Sequence, residues 1–156
     1  MDLALGLAPV AETDLTFKTL LREELILAAP ADHPVARGTA DLRALSKTSF
    51  IVAPRDIAPG LYDLTISRCR AAGFTPRIVQ NARQMQTVIG LVSCGMGVAL
   101  VPASVRNLKR SGVSYQRLRG RPALVELGIL RMRESENALA QHFTKALQDS
   151  AGAAEA

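Results

Sequence analysis

The sequence predicts an α/β fold in which buried strands alternate with helices. In the segment Met85–Pro102, MQTVIGLVSCGMGVALVP, apolar residues recur at i, i+3, i+4 and i+7, the spacing of one helical face. The unbroken apolar run Val98–Val101 that follows is typical of a strand buried on both faces. Hydrophobic residues make up 48% of the chain, enough for a core. Strands that alternate with helices favour parallel pairing with right-handed crossovers.

Apolar stretches bounded by proline, glycine or polar residues predict the strands. Leu25–Ala29 is stopped by Pro30, and Val98–Val101 by Pro102, because proline has no N–H to donate to a ladder. The predicted strands are Leu3–Leu7, Leu15–Leu20, Leu25–Ala29, Phe50–Ala53, Ile78–Asn81, Val98–Val101, Val113–Leu118 and Leu124–Met132.

Helices are predicted between these strands. A helix begins at Leu61 and ends near Gly73, which is suited to a helix C-terminus, and the next covers the run from Met85. Ser135 caps a last helix whose apolar stripe is Leu139, Phe143, Ala146 and Leu147. Shorter helical segments are predicted at Asp41–Leu45 and Ala103–Lys109.

Two glycines separate the helix that begins at Met85 from the strand Val98–Val101. Glycine tolerates positive φ and close backbone approach. We therefore expect Gly97 to adopt a backbone conformation that is costly for other residues.

Length and composition exclude several classes of protein. The 156 residues suit one domain or two small lobes, and no apolar run is long enough to span a bilayer. Cys69 and Cys94 lack CxxC spacing, so we expect reduced, structural thiols in a cytoplasmic protein. Much of the excess behind the net charge of +5 lies between Arg106 and Arg121. Without a helix-turn-helix pattern around it, this charge favours a solvated basic face over a DNA-reading surface.

The sequence contains no recognisable catalytic constellation. Ser67, Ser93 and Ser104 lack a GxSxG context, and Gly95-Met96-Gly97 lacks the third glycine of a dinucleotide fingerprint. Neither histidine has a second ligand at metal spacing. No catalytic residue, metal or cofactor is therefore predicted.

A ligand site is predicted where the carboxyl ends of the strands meet helix N-termini. Exposed N–H groups and the helix dipole favour a carboxylate or phosphate there, with Arg55 and Arg83 as a charged pair for the same anion. The alternatives are that both are ordinary surface arginines and that Ser104 only caps the helix from Val105. The candidate site consists of Arg55, Gly60, Leu61, Asn81, Arg83, Gln84 and Ser104.

Short fragments spread along the chain carry a resemblance to a known family. They are Asp2-Leu3-Ala4-Leu5, Glu24-Leu25, Asp32-His33-Pro34, Phe50-Ile51, Tyr62-Asp63, Ala72-Gly73-Phe74-Thr75-Pro76, Gln84-Met85-Gln86-Thr87 and LVSCGMGVALVP. In this order and spacing, the chain resembles the C-terminal effector-binding domain of LysR-type transcriptional regulators.

This resemblance implies a two-lobed, periplasmic-binding-protein-like (type 2) α/β fold. Residues 1–30 and 122–150 would form part of an incomplete first lobe, and residues 31–121 the second lobe. The hinge crossings would lie near Pro30 and Pro102, with residues 151–156 as a disordered tail.

The resemblance also implies a function. A small-molecule effector, an organic acid or aromatic metabolite, would bind between the lobes of a homo-oligomer. DNA would be bound only through an N-terminal winged helix-turn-helix domain that this chain lacks. The alternatives are a solute-binding protein of a transport system and, behind it, a small enzyme.

Overall fold

The computed structural model describes residues 3–8, 14–132, 142 and 144–147. The elements, in chain order, are β1 (Leu3–Leu7), β2 (Leu15–Pro30), β3 (Ser49–Val52), α1 (Pro59–Ala71), β4 (Arg77–Asn81), α2 (Met85–Ser93), β5 (Ala99–Pro102), β6 (Val113–Arg117) and β7 (Leu124–Met132). Short 3-10 helices cover Leu42–Leu45 and Ala103–Leu108. His142 and residues 144–147 are helical.

The long strand β2 belongs to two sheets. Its first part, from Leu15 to Glu24, pairs with β7, which in turn pairs with β1. Its last part, from Leu25 to Pro30, lies between β5 and β6. All these pairings are antiparallel, and the register with β7 shifts between Thr19 and Leu21. The chain therefore passes from one sheet to the other inside a continuous strand.

The second sheet is extended by β3 and β4. These two strands pair in parallel, and β3 meets β5 through a parallel bridge between Phe50 and Val98. The N–H groups of Ile51 and Val98 donate across this junction to Val98 O and Ser49 O, both at 2.9 Å. The parallel arrangement predicted from the sequence thus holds for β3, β4 and β5. It is wrong for the strands that pair with β2, since β2 runs against each of its partners.

Helices α1 and α2 cover opposite faces of this second sheet. Alternate residues of β2 and β5 face each way, as the period of two in a strand requires. On one face they pack with Leu61 and Cys69 of α1, and on the other with Val88, Ile89 and Val92 of α2. Burial of each large side chain contributes roughly 1.5–3 kcal/mol, so this sandwich forms the centre of the fold.

Most predicted elements are found within one or two residues of their expected bounds. The exception is β2, which joins the predicted strands Leu15–Leu20 and Leu25–Ala29 into one. Gly97 is a second correction, because positive φ occurs at Gly95 and not at Gly97. Ser135, Leu139 and Phe143 of the last predicted helix lie outside the described residues, as does the tail 151–156.

The positions of the predicted hinge residues are defined by strand pairing. Pro30 ends β2 opposite Val113, and Pro102 ends β5 opposite Leu25. Both prolines therefore lie in the second sheet, whereas β2 changes partners between Glu24 and Leu25. The division into lobes and the two hinges stay predictions.

Within the described part of the chain, no helix has the length and apolar character needed to cross a membrane.

Candidate functional site

The carboxyl ends of β3, β4 and β5 lie along one edge of the second sheet. This follows from parallel pairing of β3 with β4 and from the parallel bridge to β5. The last strand residues are Val52, Asn81 and Pro102, and each leads into a helical segment. The edge predicted from the sequence is thus assembled as expected.

Two helix N-termini at this edge lack a side-chain capping hydrogen bond. Ala58 precedes α1 and Gln84 precedes α2, and neither makes a side-chain capping hydrogen bond. Neither helix has an acidic residue in its first turn. Gly60 and Leu61 are buried in the first turn of α1. Helix N-termini without a cap favour binding of an anion, because their first N–H groups lack intrahelical acceptors.

Three polar side chains stand at the start of α2. Asn81, Arg83 and Gln84 are all exposed. Within the part of the chain that the structure describes, the Arg83 side chain has neither a hydrogen bond nor an ion pair. Arg83 is therefore the predicted arginine whose charge remains unpaired.

Arg55, in contrast, is already engaged. Its Nε donates to Asp63 Oδ1 at 2.8 Å and its Nη2 to Asp63 Oδ2 at 3.0 Å. This two-point contact lowers the pKa of the Asp63 carboxyl. Both side chains are about half exposed or more, at 67% and 47%, so water screens the pair. A ligand anion would have to compete with Asp63 for Arg55.

Ser104 also has an internal anionic partner. Its backbone N–H donates to Glu23 Oε2 at 2.8 Å. The short helix begins at Ala103 after Pro102, without a side-chain cap, so the alternative role of Ser104 as a cap is wrong. Sequence reasoning missed Glu23 because the two residues are 81 positions apart, and only the course of β2 brings them together.

Three concavities lined by described residues lie away from these seven positions. One cleft of about 420 Å³ lies beside Leu25, Arg117 and Ala123, and one of about 350 Å³ beside Asp32, Cys94 and Gly112. A third, of about 340 Å³, is lined by arginines from three parts of the chain. The sequence indicated only the basic run that ends at Arg121, since the other arginines are distant in sequence.

Among the described residues, no group of three or more His, Cys, Asp or Glu side chains is placed so that it could hold a metal ion. The amide and guanidinium N–H groups at the sheet edge suit an anion, although the carboxylates of Asp63 and Glu23 already engage some of them.

The mixed α/β domain has a fold of the two-lobed, periplasmic-binding-protein-like (type 2) class. The family model "LysR substrate binding domain" matches residues 1–152. The chain belongs to the LysR substrate-binding domain family.

Relatives and solved structures agree with this assignment. The HTH-type transcriptional regulator IlvR of Caulobacter vibrioides is 42% identical over 120 residues, which cover 77% of this chain and 40% of IlvR. The effector-binding domain of QuiR in complex with shikimate has a TM-score of 0.77 at 24% identity, covering 96% of this chain and 69% of that chain. The BenM effector-binding domain with its effector benzoate has a TM-score of 0.77 at 21% identity, covering 99% and 71%. The chain thus spans less than half the length of IlvR.

Proposed function

We propose that this chain is the ligand-sensing part of a LysR-type transcriptional regulator that works in the cytoplasm. An organic acid or aromatic metabolite binds at the edge formed by the carboxyl ends of β3, β4 and β5. The observation that carries this proposal is Arg83, which directly precedes the uncapped N-terminus of α2 and whose side chain has no partner among the described residues. The ligands in the QuiR and BenM structures, shikimate and benzoate, are both carboxylic acids, which supports an acidic effector here.

The residues of the proposed site differ in how available their hydrogen-bond donors are to a ligand carboxylate. Arg83, Asn81, Gln84 and the N–H groups of α1 and α2 contact the ligand carboxylate first, because their donors are available. Arg55 contributes less, since its guanidinium is shared with Asp63. Ser104 contributes through its side chain rather than its amide, which Glu23 already occupies.

Binding alters the regulator only if it favours one arrangement of the lobes over another. We place the relative motion of the lobes where the chain passes between the sheets. The predicted hinge Pro102 lies opposite Leu25, next to this passage, and Pro30 lies at the far end of β2 in the second sheet. DNA is contacted by a separate winged helix-turn-helix domain, because the basic residues here form no reading element.

Calorimetric titration with benzoate and shikimate tests the site. We expect Arg83→Ala to weaken binding by about 1–3 kcal/mol, the range for a hydrogen bond to a charged group. Arg55→Ala should cost less than Arg83→Ala. Arg70→Ala, which removes an exposed charge from the far end of α1, is the matched control and should leave the affinity unchanged.

Two results would contradict the proposal. Unchanged affinity in both Arg83→Ala and Arg55→Ala would remove the anion site from this edge. Equal losses in Arg83→Ala and Arg70→Ala would show that only net charge matters. Melting curves recorded without ligand separate these outcomes from loss of folding.

A further inference from the structure

The arginine-lined cleft of about 340 Å³ lies at the opposite end of α1 from the proposed effector site. The last turn of α1, the 3-10 helix Leu42–Leu45 and the connection between β6 and β7 form its walls. Four arginines and one aspartate line it, so positive charge is in excess. The lining residues with charge are Asp41, Arg43, Arg68, Arg119 and Arg121.

Asp41 holds two of these arginines together. Arg43 donates to both carboxylate oxygens, with Nη2 to Oδ2 at 3.0 Å and Nε to Oδ1 at 3.2 Å. Arg119 Nη1 lies 3.7 Å from the same Oδ2. The Asp41 carboxylate also accepts the Arg43 N–H, so its charge is engaged on several sides. One carboxylate therefore positions two guanidinium groups that carry twice its charge.

The other two arginines are linked through the backbone. Arg68 Nη2 donates to the carbonyl oxygen of Arg121 at 2.9 Å, which joins α1 to the connection between β6 and β7. The Arg121 side chain has no hydrogen bond or ion pair with any described residue. Arg121 thus brings a full, uncompensated charge to the wall of the cleft.

The helix end at this cleft does not repel an anion strongly. A helix C-terminus normally presents free carbonyl oxygens and a partial negative charge. Here the carbonyls of Arg68, Cys69 and Arg70 accept N–H groups from residues 72–74, which follow the helix. These three carbonyl oxygens therefore compete less for the arginine donors, of which Arg68 is already engaged by the Arg121 carbonyl oxygen.

We propose that this cleft is a second anion site, separate from the effector site, which binds a small phosphate-bearing metabolite. Arginine suits phosphate because its planar donors contact two oxygens at once. The volume is at the low end of the range for ligand pockets, which favours a compact anion such as a diphosphate group over a large molecule. No aromatic residue lines the cleft, so bases of a single-stranded nucleic acid would have no stacking surface.

Titration calorimetry of the full chain with sodium pyrophosphate, at constant ionic strength, tests this site. We expect saturable binding that weakens as potassium chloride is added, since the contacts are ionic. Arg121→Gln and Arg119→Gln should each raise Kd by about tenfold through loss of one charge-assisted contact. The Arg121 side chain has no hydrogen bond or ion pair with a described residue, and Arg121→Gln keeps the carbonyl oxygen that accepts from Arg68, so this variant should melt at the wild-type temperature.

The matched control is Arg70→Gln. Arg70 lies in the same last turn of α1 but does not line the cleft, and it carries the same charge. The Kd of Arg70→Gln for pyrophosphate should stay within about twofold of wild type, because the exposed Arg70 side chain lies outside the cleft and makes no direct contact with the anion. Arg83→Ala should also bind pyrophosphate normally, which separates this site from the effector site.

Three outcomes would overturn the proposal. They are absence of saturable pyrophosphate binding by the wild type, equal weakening in Arg70→Gln and Arg121→Gln, and tight binding of a single-stranded oligonucleotide that pyrophosphate does not displace. The last would indicate a nucleic-acid surface instead of a metabolite site.

Discussion

Gly97 lies where the backbones of β3 and β5 come into contact. A Cβ atom at this position would stand 2.5 Å from the carbonyl oxygen of Ser49 and 3.0 Å from its carbonyl carbon. That oxygen cannot move freely, because it accepts the N–H of Val98 at 2.9 Å. Gly97 is therefore required by close approach of two strands, not by a positive φ.

We expect Gly97→Ala to lower the free energy of unfolding by about 1–3 kcal/mol, the usual cost of overpacking a core. Gly90→Ala is the control. Gly90 lies within α2 with nothing within 4 Å of the added Cβ, so alanine should stabilise by about 0.5–1 kcal/mol. Urea denaturation measures both. Unchanged stability in Gly97→Ala would mean that Ser49 can move away.

The two cysteines differ in environment, although both are free thiols. Cys69 is fully buried in α1, and burial raises the pKa of its thiol to about 11. Cys94 is exposed at the C-terminus of α2. The sequence predicted structural thiols for both, and in the structure only Cys69 belongs to the core.

A disulfide reagent such as Ellman's should therefore titrate one thiol rapidly near neutral pH and the second only after denaturation. The reason is that the thiolate is the reactive form and must be accessible. Cys94→Ser should abolish the rapid phase. Two rapid equivalents in the wild type would contradict the burial of Cys69.

A raised folded-state pKa also means that Cys69 favours folding at low pH and loses this contribution above about pH 9, as the unfolded thiol ionises.

At the scale of elements, β2 has a charged centre. Arg22 contacts Glu126 at 2.8 Å, Glu23 accepts the Ser104 N–H, and Glu24 accepts two donors of Arg117. Their partners lie 81 to 104 residues away in sequence. These charges interrupt the apolar pattern, and the sequence predicted two strands, Leu15–Leu20 and Leu25–Ala29, in place of β2. Pairing across the whole chain reverses that local preference.

Glu126 of β7 contacts two residues of β2 at this point, because its carboxylate accepts the Thr19 hydroxyl at 3.0 Å as well as the Arg22 guanidinium. The Thr19 and Arg22 hydrogen bonds lower the pKa of Glu126. Its contribution to stability is therefore present above about pH 4.5 and lost as the pH falls through the lowered pKa.

We expect Glu126→Gln to lower the melting temperature slightly at pH 7 and to flatten its decline in acid. Asp56→Asn, an exposed carboxylate in the loop before α1, is the control and should keep the wild-type pH profile. Thermal melts between pH 3 and 7 provide the comparison. Parallel profiles for Glu126→Gln and wild type would show that this contact does not affect folding.

The sequence predicted the framework of the candidate site better than its contacts. Helices α1 and α2 begin close to the predicted residues, because periodicity and proline mark them locally. The pairing of Arg55 with Asp63 depends on the shape of the loop before α1, which carries no periodic signal. The contact between Glu23 and Ser104 depends on the course of β2, which was not predicted.

At the scale of the whole molecule, the first sheet has an open edge. Among the described residues, β1 pairs with β7 alone, and the Leu5 side chain on β1 is 56% exposed. Unpaired strand edges with exposed apolar residues recruit partners. We therefore propose that copies of this chain associate through β1.

Analytical ultracentrifugation tests this association. Leu5→Lys should shift the protein toward monomer, since lysine on an edge strand opposes strand addition. Met96→Lys places the same charge at another exposed apolar residue, after α2, and should leave the distribution unchanged. A wild-type protein that is monomeric at all concentrations would contradict the prediction, as would equal shifts in both variants.

The continuity of β2 also determines how the two sheets can move. A loop linker would let them swing at almost no energetic cost, whereas β2 is hydrogen-bonded to neighbours on both sides of Glu24 and Leu25. Rotation of one sheet against the other must then twist β2, and its hydrogen bonds on both sides resist that twist. If a ligand of the proposed site turns the sheets, we expect the twist to be reversible and the sheets to return to their starting angle when the ligand leaves. Stiffness of a single strand would thereby set how much binding energy is converted into movement.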